Sequence, residues 1–294
     1  MTRSAPLRRA GGGWLVPGSL ESGGPVYAED AGLERIWKAR NTTMQPYYEA
    51  SGITIYHGDC LDVMPALQPA VDLILADLPY GTTACSWDSV ISLASLWEQY
   101  RFLIKPSGAV TLTGSQPFTT TLIASNLDMF RYCWVWEKDT PTGHLDANRK
   151  PMKAHEDVCV FYQRQPTFNP QKWKGQPNHG RSTRDDAFSN IYSGAYKTTA
   201  PDQTGMKYPR SVIRFSKYAP RETLHPTQKP LELMAYLIQT YTNVGDLVLD
   251  NTMGSGTTLE AARLLGRRAI GIEIEERYCE IAARRLSQEV MDFA

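Results

Sequence analysis

The segment LVLDNTMGSGTTLEAARLLGRRAIGIEI, residues 247–274, constrains the fold of this 294-residue chain more than any other stretch. An apolar run ends at Asp250, a glycine-containing turn follows, and a helical pattern opens at Thr257. A second apolar run then ends at Glu273, so that two short strands flank one helix. A crossover helix of this kind joins parallel strands, and parallel sheets have both faces covered by helices. The segment therefore predicts an α/β fold.

The same alternation of strand and helix patterns extends through most of the chain. The strand pattern GITIY precedes a short helix, and the apolar run VDLILA precedes the helical pattern LASLWEQYRFLI, a KPSG turn and the strand AVTLT. Two further β-rich runs follow, RYCWVWEKD and EDVCVFYQR. We therefore expect a doubly wound, mostly parallel, Rossmann-like α/β sheet with helices on both faces.

The segment 163–224 interrupts this alternation. It contains six prolines and eight aromatic residues, and it is too long for an ordinary connection within a compact domain. It carries 11 Lys and Arg against 4 Asp and Glu, a net charge of +7. The remaining residues carry 20 Lys and Arg against 27 Asp and Glu, a net charge of −7, so the whole chain is neutral. A positive segment within a negative body predicts a localised contact with phosphate groups.

These patterns divide the chain into three regions. Residues 1–43, rich in Gly, Pro and Arg, are predicted to be a loosely ordered extension, and 163–224 to be an insertion. Residues 44–162 and 225–294 form the predicted α/β domain. No apolar run approaches the ~18 residues that span a bilayer, and five dispersed cysteines without a CxxC pair favour reduced thiols over a metal site. We expect a cytoplasmic protein with no membrane partner and no bound metal.

The glycine turn after Asp250 has the features of a ligand-binding loop. Gly254 and Gly256 have no Cβ, which lets the backbone approach a ligand, and the next helix begins with unpaired N–H groups. Glu273 lies 19 residues after Gly254, near the spacing at which an acid binds ribose hydroxyls. The G-x-G spacing and the acid at the strand tip disfavour a pyrophosphate and suit a cationic ligand such as S-adenosylmethionine. The alternative is an ordinary strand–glycine–helix connection.

A second polar motif, Asp77-Leu78-Pro79-Tyr80, follows the buried strand pattern VDLILA. Ligands of open α/β sheets bind beyond the carboxyl ends of the strands, so we expect this motif and the glycine turn to share one cleft. Asp77 can accept a hydrogen bond from an amino group, and Pro79 fixes the turn so that the Leu78 carbonyl is a second acceptor. Tyr80 offers a face on which a base can stack. The alternative is that Asp77 only caps the turn.

The motifs DLPY, DNTMGSGTT and HPTQKP together resemble the signature set of the DNA amino-methyltransferases, which methylate N6 of adenine or N4 of cytosine. Their order, with the catalytic motif first, is similar to that family's β arrangement, and the likeness covers roughly residues 50 to 288. It implies a methyltransferase sheet, S-adenosylmethionine as the cofactor and double-stranded DNA as the partner. A homodimer is compatible with the sequence, which neither indicates nor excludes a restriction endonuclease partner.

The resemblance also implies roles for individual residues. Asp77, Pro79 and Tyr80 would be catalytic. The residues implied to bind the cofactor are Asp59, Thr227, Lys229, Asp250, Gly254, Gly256, Thr257 and Glu273.

The insertion 163–224 falls where this family has its target-recognition region. The basic residues from which we expect DNA contacts are Lys172, Lys174, Arg181, Arg184 and Arg210. The chain also departs from the usual motifs at two points. Leu78 replaces a second proline, and Asn251-Thr252 replaces a Pro-Phe pair whose phenylalanine packs beside the cofactor's adenine.

The Asp and Tyr of the DLPY motif favour adenine N6 as the target, since the family's cytosine N4 enzymes more often carry Ser and Trp. The predicted activity is therefore site-specific, in-line methylation of adenine in duplex DNA after the base leaves the stack. Methylation at cytosine C5 would require a nucleophilic cysteine, usually after a proline, and no proline precedes a cysteine here. The alternatives are a cytosine N4 methyltransferase, an RNA or protein-glutamine methyltransferase, and an inactive cofactor-binding DNA protein.

Overall fold

The structure, a computed structural model, describes residues 44–68, 70–81, 90–176, 204–216 and 228–288. Its strands are β1 Tyr48–Ala50, β2 Ile53–His57, β3 Val71–Ala76, β4 Ile104–Gly114, β5 Phe130–Thr142, β6 Lys153–Phe161, β7 Trp173–Lys174, β8 Met206–Lys207, β9 Val212–Arg214, β10 Leu247–Asp250 and β11 Arg268–Glu273. Its α-helices are α1 Cys60–Val63, α2 Leu93–Leu103, α3 Phe118–Ala124, α4 Leu231–Tyr241, α5 Thr257–Leu264 and α6 Glu276–Ser287.

A nine-stranded sheet in the order β1-β2-β11-β10-β3-β4-β6-β5-β9 organises the fold. The strands β2, β11, β10, β3 and β4 run parallel, whereas β6 is antiparallel to both β4 and β5. From β10 the chain passes through α5 to β11 on one side, and from β3 through α2 to β4 on the other. The strand order therefore reverses between β10 and β3, which is where ligands bind in such sheets. The predicted mostly parallel α/β sheet is confirmed.

Alternate residues of β3 contribute to two cores, one on each face of the sheet. Leu73 and Leu75 pack into the core that includes residues of α4, α5 and α6. Ile74 and Ala76 pack into the core that includes residues of α1, α2 and α3. Because both faces of β3 are covered, its sequence is apolar at nearly every position instead of alternating with polar residues. This buried strand is a rigid support for the motif at its carboxyl end.

The predicted KPSG turn lies inside β4 rather than before it. Val71 pairs with Ile104 and Leu73 pairs with Ala109, so residues 105–108 bulge out of the ladder between β3 and β4. Gly108 has no room for a side chain, because a Cβ would lie 2.7 Å from the Ile104 side chain and 2.9 Å from the Asp72 carbonyl oxygen. The turn residues of the sequence therefore mark a β-bulge.

Both described ends of the predicted insertion pack against the α/β body. The backbone N–H of Asn169 donates to the Thr240 carbonyl (2.8 Å), and Ile213 of β9 is buried beside β5. The strands β7 and β8 form a separate two-stranded sheet. Thr227, Arg181, Arg184 and the predicted extension 1–43 lie outside the described residues. Among the helices that the structure describes, none is long and apolar enough to span a bilayer.

Candidate active site

The register between β3 and β10 brings the two sequence motifs to one edge of the sheet. Leu249 pairs with Ile74, so Asp250 at the end of β10 and Asp77 just after β3 lie at the same carboxyl edge. The hydroxyl of Thr252 donates a 3.1 Å hydrogen bond to the backbone carbonyl of Asp77. The loop after β3 and the glycine loop after β10 are thus directly joined.

The two loops border a cavity of about 350 Å³. Its volume is within the range of small-molecule sites, which begins at about 300 Å³. Most of the sequence-predicted catalytic and cofactor residues line it, namely Asp59, Asp77, Pro79, Tyr80, Lys229, Asp250, Gly254, Thr257 and Glu273. Gly256 is not among the lining residues, and the carboxylate of Asp59 accepts a hydrogen bond from the Leu61 N–H (2.8 Å) at the start of α1.

Asp77 accepts hydrogen bonds from three side chains of the cavity. Its Oδ1 accepts hydrogen bonds from the Tyr80 hydroxyl (2.7 Å) and from the Thr113 hydroxyl. Its Oδ2 accepts one from the Lys229 ammonium at 2.5 Å. A carboxylate offers about four lone-pair positions, so one position on Oδ2 is left for a further donor. The Asp77 side chain is 25% exposed, which lets such a donor reach it from the cavity.

Tyr80 is held from two directions. Its ring stacks on Phe118 of α3, with 4.8 Å between ring centroids and 29° between planes. Burial and the adjacent Asp77 carboxylate raise the pKa of the Tyr80 hydroxyl well above its ordinary value, so the hydroxyl stays neutral and donates. Phe118 covers one ring face, which leaves the other face for a ligand. Phe118 could not be identified from the sequence, because the α3 segment carries no motif.

The two glycines of the loop have different roles. Gly254 and Gly256 adopt φ angles of 51° and 77°, in the left-handed region that favours glycine. A Cβ on Gly256 would lie 2.8 Å from the Cβ of Ala282 in α6. Gly256 lets α5 and α6 pack closely, and of the two glycines Gly254 lines the cavity. That both glycines keep the backbone open to a ligand stays a prediction.

Glu273 closes the glycine loop from the end of β11. Its two carboxylate oxygens accept hydrogen bonds from the backbone N–H groups of Gly254 and Glu275, both at 2.9 Å. Burial raises the pKa of this carboxyl, and the backbone N–H groups of Glu275, Gly254 and Ile274 oppose that effect. A carboxylate offers about four lone-pair positions, so Glu273 can still accept a hydrogen bond from a hydroxyl group in the cavity.

Asp250 is an acid with little charge compensation. Its side chain is 96% buried and accepts hydrogen bonds from the Thr252 N–H (3.1 Å) and from Thr258. Burial raises its pKa to about 7, and the charges of Asp77 and Glu273 add to that rise. Within the described ranges, no ion pair involves Asp250. A cationic group entering this end of the cavity would therefore be stabilised by Asp250.

The two residues that depart from the expected Pro-Phe pair are tied down by polar contacts. The Tyr100 hydroxyl donates to Asn251 Oδ1 (2.6 Å), and Asn251 Nδ2 donates to the Cys60 sulfur (3.5 Å). These buried contacts connect the glycine loop to α2 and α1. Hydrogen bonds to Tyr100, Cys60 and Asp77 thus hold the Asn251-Thr252 pair in place.

Two charged residues of the cavity were not found from the sequence. Lys138 of β5 and Glu156 of β6 form an ion pair, and the exposed fractions of their side chains are 5% and 15%. Glu156 Oε2 also lies 3.4 Å from Lys229 Nζ. The available signal was the presence of charged residues inside two β-rich runs, WEKD and HED. That pattern does not tell which way the side chains point.

The described members of the predicted DNA-binding set lie on and around the small sheet. Lys172 Nζ stands 4.4 Å from the centre of the Tyr208 ring, and Lys174 of β7 pairs with Met206 of β8. Arg210 is exposed. Three further cations are exposed in this part of the chain: Arg149 and Lys150 lie on the connection between β5 and β6, and Lys153 begins β6 opposite Thr142, which lines the cavity.

Comparisons with known proteins agree with this geometry. A family model described as DNA methylase, N6_N4_Mtase, matches residues 71–284. The type II methyltransferase M2.DpnII of Streptococcus pneumoniae is 28% identical over 271 residues, covering 83% of this chain and 93% of that protein. M2.LlaDCHI of Lactococcus lactis subsp. cremoris is 26% identical over 276 residues, with the same shares covered.

Solved structures show the same architecture. The M1.HpyAVI–SAM complex is 26% identical, with a TM-score of 0.57, over 80% of this chain and 100% of that chain. The cytosine-N4-specific PvuII DNA methyltransferase has a TM-score of 0.61 over 86% of this chain and 92% of that chain, and at 16% identity it shows the fold alone.

Proposed function

The chain belongs to the DNA methylase family of N6-adenine and N4-cytosine amino-methyltransferases, and from this premise we propose that it methylates N6 of adenine in duplex DNA with S-adenosylmethionine. The observation that carries the proposal is the shared cavity between the loop of Asp77 and the loop of Gly254. The Thr252–Asp77 hydrogen bond holds the two loops together. A group bound by one loop can therefore react with a group bound by the other.

The residues of the glycine loop fit the cofactor. Asp250 is a buried acid that suits a cationic amino group or sulfonium, and Glu273 has lone pairs left for ribose hydroxyls. When bound, S-adenosylmethionine supplies a methyl carbon on a positively charged sulfur, an electrophile that an amino nitrogen can attack. Asp59 at the start of α1 borders the same cavity and is assigned to the adenine end.

The loop after β3 holds the other reactant. Asp77 Oδ2 has a lone pair for one N–H of the target amino group, and the Leu78 carbonyl oxygen accepts the second N–H. Two acceptors on one NH2 group draw its nitrogen lone pair out of conjugation with the base. Pro79 fixes the turn that carries both acceptors. The nitrogen would attack the methyl carbon in line as the carbon–sulfur bond breaks, neutral S-adenosylhomocysteine would leave, and the proton that the nitrogen loses would pass to solvent, without a covalent intermediate on the protein.

Tyr80 orients the base. Because Phe118 covers one face of its ring, a base extruded from the duplex stacks on the other face. Such a contact contributes about 1–3 kcal/mol, comparable to the few kcal/mol that extrusion costs. Its hydroxyl is already bonded to Asp77, so stacking also aligns the amino group with the acceptor.

Adenine is proposed as the target because the motif reads Asp-Leu-Pro-Tyr, with Asp and Tyr in its first and last positions. Duplex DNA is proposed as the partner because exposed cations flank the cavity edge. Lys153 stands beside the loop after β4, with its Nζ 3.2 Å from the Ser115 hydroxyl oxygen. The basic residues around β7 and β8 extend this surface.

The test measures transfer of tritiated methyl groups from the labelled cofactor to duplex DNA of mixed sequence. Wild-type protein is expected to label duplex DNA, with RNA and protein substrates at background. Asp77→Ala should abolish labelling, whereas Asp128→Asn, which changes an exposed acid away from the cavity, should not. Single-molecule sequencing of the product then reads the modified base. Labelling of cytosine N4 would refute the adenine assignment, and no labelling above the Asp77→Ala control would refute the proposed activity.

A further inference from the structure

Four charged side chains of alternating sign line one wall of the cavity: Lys138, Glu156, Lys229 and Asp77. Lys138 contacts Glu156 Oε1, and Lys229 lies between Glu156 Oε2 and Asp77 Oδ2. The exposed fractions of the four side chains are 5%, 15%, 11% and 25% in that order. Charges removed from water to this extent are retained only when each has a partner. The proposed mechanism uses Asp77 and leaves the other three without a role.

Lys229 lies closer to one of its two neighbouring carboxylates than to the other. Its ammonium lies 2.5 Å from Asp77 Oδ2 but 3.4 Å from Glu156 Oε2. Within the described residues, Glu156 Oε2 is buried and accepts no hydrogen bond of standard geometry. Burial lowers the pKa of Lys229, but the two carboxylates outweigh that effect and the net shift is upward, so the ammonium is charged. A shift of about 1 Å would therefore complete a hydrogen bond that Glu156 lacks.

The Lys229 ammonium is hydrogen-bonded to Asp77 Oδ2, the same oxygen that would accept a hydrogen bond from the target base. Asp77 Oδ1 already accepts two hydroxyl donors, so an incoming amino group must bind Oδ2, beside Lys229. The amino nitrogen becomes positively charged as the new bond forms. An ammonium kept on Asp77 would repel that charge, and the repulsion is stronger in this partly buried site than in bulk water.

We propose that Glu156 is a positioning residue that draws Lys229 away from Asp77 when the target amino group enters the cavity. The inference rests on the proposed function and extends it to Glu156, which lies outside the sequence motifs, and to Lys229 of the HPTQKP motif. Lys229 keeps a carboxylate partner throughout, and the positive charge that develops on the amino nitrogen replaces the ammonium beside Asp77. When the methylated base leaves, Lys229 returns to Asp77. Lys138 holds Glu156 Oε1 throughout and keeps Glu156 in place.

The test compares Glu156→Gln with Lys138→Met, because both break the Lys138–Glu156 ion pair and only the first removes the alternative partner of Lys229. Single-turnover transfer of tritiated methyl to duplex DNA is measured with saturating cofactor, and cofactor Kd is measured by calorimetry. Glu156→Gln is expected to slow transfer at least about tenfold with cofactor Kd within about twofold of wild type. Lys138→Met is expected to slow transfer by no more than about threefold. Glu156→Asp should restore part of the lost rate.

The outcomes separate the inference from the proposed function. If wild-type protein labels DNA and Glu156→Gln matches it, Glu156 does not position Lys229 and only the inference falls. Equal losses in Glu156→Gln and Lys138→Met would mean that the ion pair is merely structural, which also overturns it. No labelling by wild-type protein would remove both. Should Glu156→Gln not fold, a crystal structure of wild-type protein with duplex DNA and S-adenosylhomocysteine decides: Lys229 must then lie closer to Glu156 than to Asp77.

Discussion

The hydroxyl of Thr252 donates a hydrogen bond of 3.1 Å to the backbone carbonyl of Asp77, across the boundary between β10 and β3. This contact fixes the distance between the loop assigned to the cofactor and the loop assigned to the base. The usual family motif has a phenylalanine at this position, so the hydrogen bond is a property of this chain's Asn-Thr pair.

Thr252→Val, which keeps the shape of the side chain and removes the donor, is expected to lower the methyl-transfer rate about tenfold. The reason is that the loop of Asp77 loses one of its anchors, and small misplacements of reacting groups are costly. Cofactor Kd should change by less than about threefold, because the Thr252 N–H still bonds Asp250. Thr120→Val, at an exposed threonine of α3, is the control. An equal loss in the control would contradict the prediction.

Cofactor affinity is expected to depend on pH through Asp250. With its pKa raised to about 7 by burial, Asp250 must lose a proton before it can pair with a cation. Affinity should therefore fall by up to about tenfold per pH unit as pH decreases below about 7. Asp250→Asn should bind more weakly at pH 7.5 and show no such dependence between pH 5.5 and 7.5. Calorimetry over this range measures it, and a pH-dependent Asp250→Asn variant would count against the assignment.

The free energy of unfolding of the cofactor-free protein should also depend on pH through Asp250, and it should decrease as pH rises. The folded pKa of Asp250 is raised above the unfolded value, so the folded state binds a proton more tightly. Its contribution to the free energy of unfolding is present in full below about pH 4 and is lost as pH rises to about 7. Asp250→Asn should remove this decline, which is on the order of 4 kcal/mol at most. Urea unfolding of wild type and Asp250→Asn at pH 5 and 8 tests this prediction. If the difference in the free energy of unfolding between the two proteins is the same at both pH values, the prediction is wrong.

Gly256→Ala is expected to destabilise the protein by roughly 2 kcal/mol, since it forces a non-glycine residue to φ 77° and brings its Cβ to 2.8 Å from Ala282 Cβ. Ala282→Gly in the same chain should recover part of the loss by removing the clash but not the φ strain. Thermal unfolding measures both variants. Because Gly256 does not line the cavity, cofactor Kd of the folded variant should be close to that of wild type. A large rise in Kd with unchanged stability would reverse this interpretation.

Arg149→Gln and Lys150→Gln together are expected to weaken binding to duplex DNA and to lower the salt slope of log K by about 1 for each phosphate that is no longer neutralised. Both residues are exposed on the connection between β5 and β6, which begins after Thr142 of the cavity lining. Arg131→Gln is the matched control, because Arg131 lies at the opposite end of β5. Fluorescence anisotropy at several salt concentrations measures the slopes. Equal slopes for the double variant and the control would remove this surface from the DNA interface.

The placement of the two motifs was predictable from the sequence. Strands buried on both faces read as apolar runs, and the carboxyl ends of parallel strands meet at one edge of the sheet. Asp77 and Gly254 could therefore be assigned to one cleft without knowledge of the register. The spacing between Gly254 and Glu273 predicted an acid positioned to bind ribose hydroxyls, and the structure shows that this acid also accepts a hydrogen bond from the Gly254 N–H.

Other parts of the site could not be predicted. Gly256 looked like Gly254 in the sequence, yet its neighbour is Ala282 of α6, which only the packing of two helices brings there. Phe118 reaches Tyr80 from a helix with no motif. The exact strand boundaries also differed, since the KPSG residues form a bulge within β4.

The sequence by itself determined the α/β sheet, the two loops at its carboxyl edge and the family, because these depend on local patterns of apolar and polar residues. Only the tertiary structure decided which charges meet at Asp77. Lys229 is 152 positions from Asp77 in the chain. Glu156, on the antiparallel strand β6, lies beside Lys229. Contacts between such distant residues depend on strand register and helix packing, which local sequence patterns do not specify.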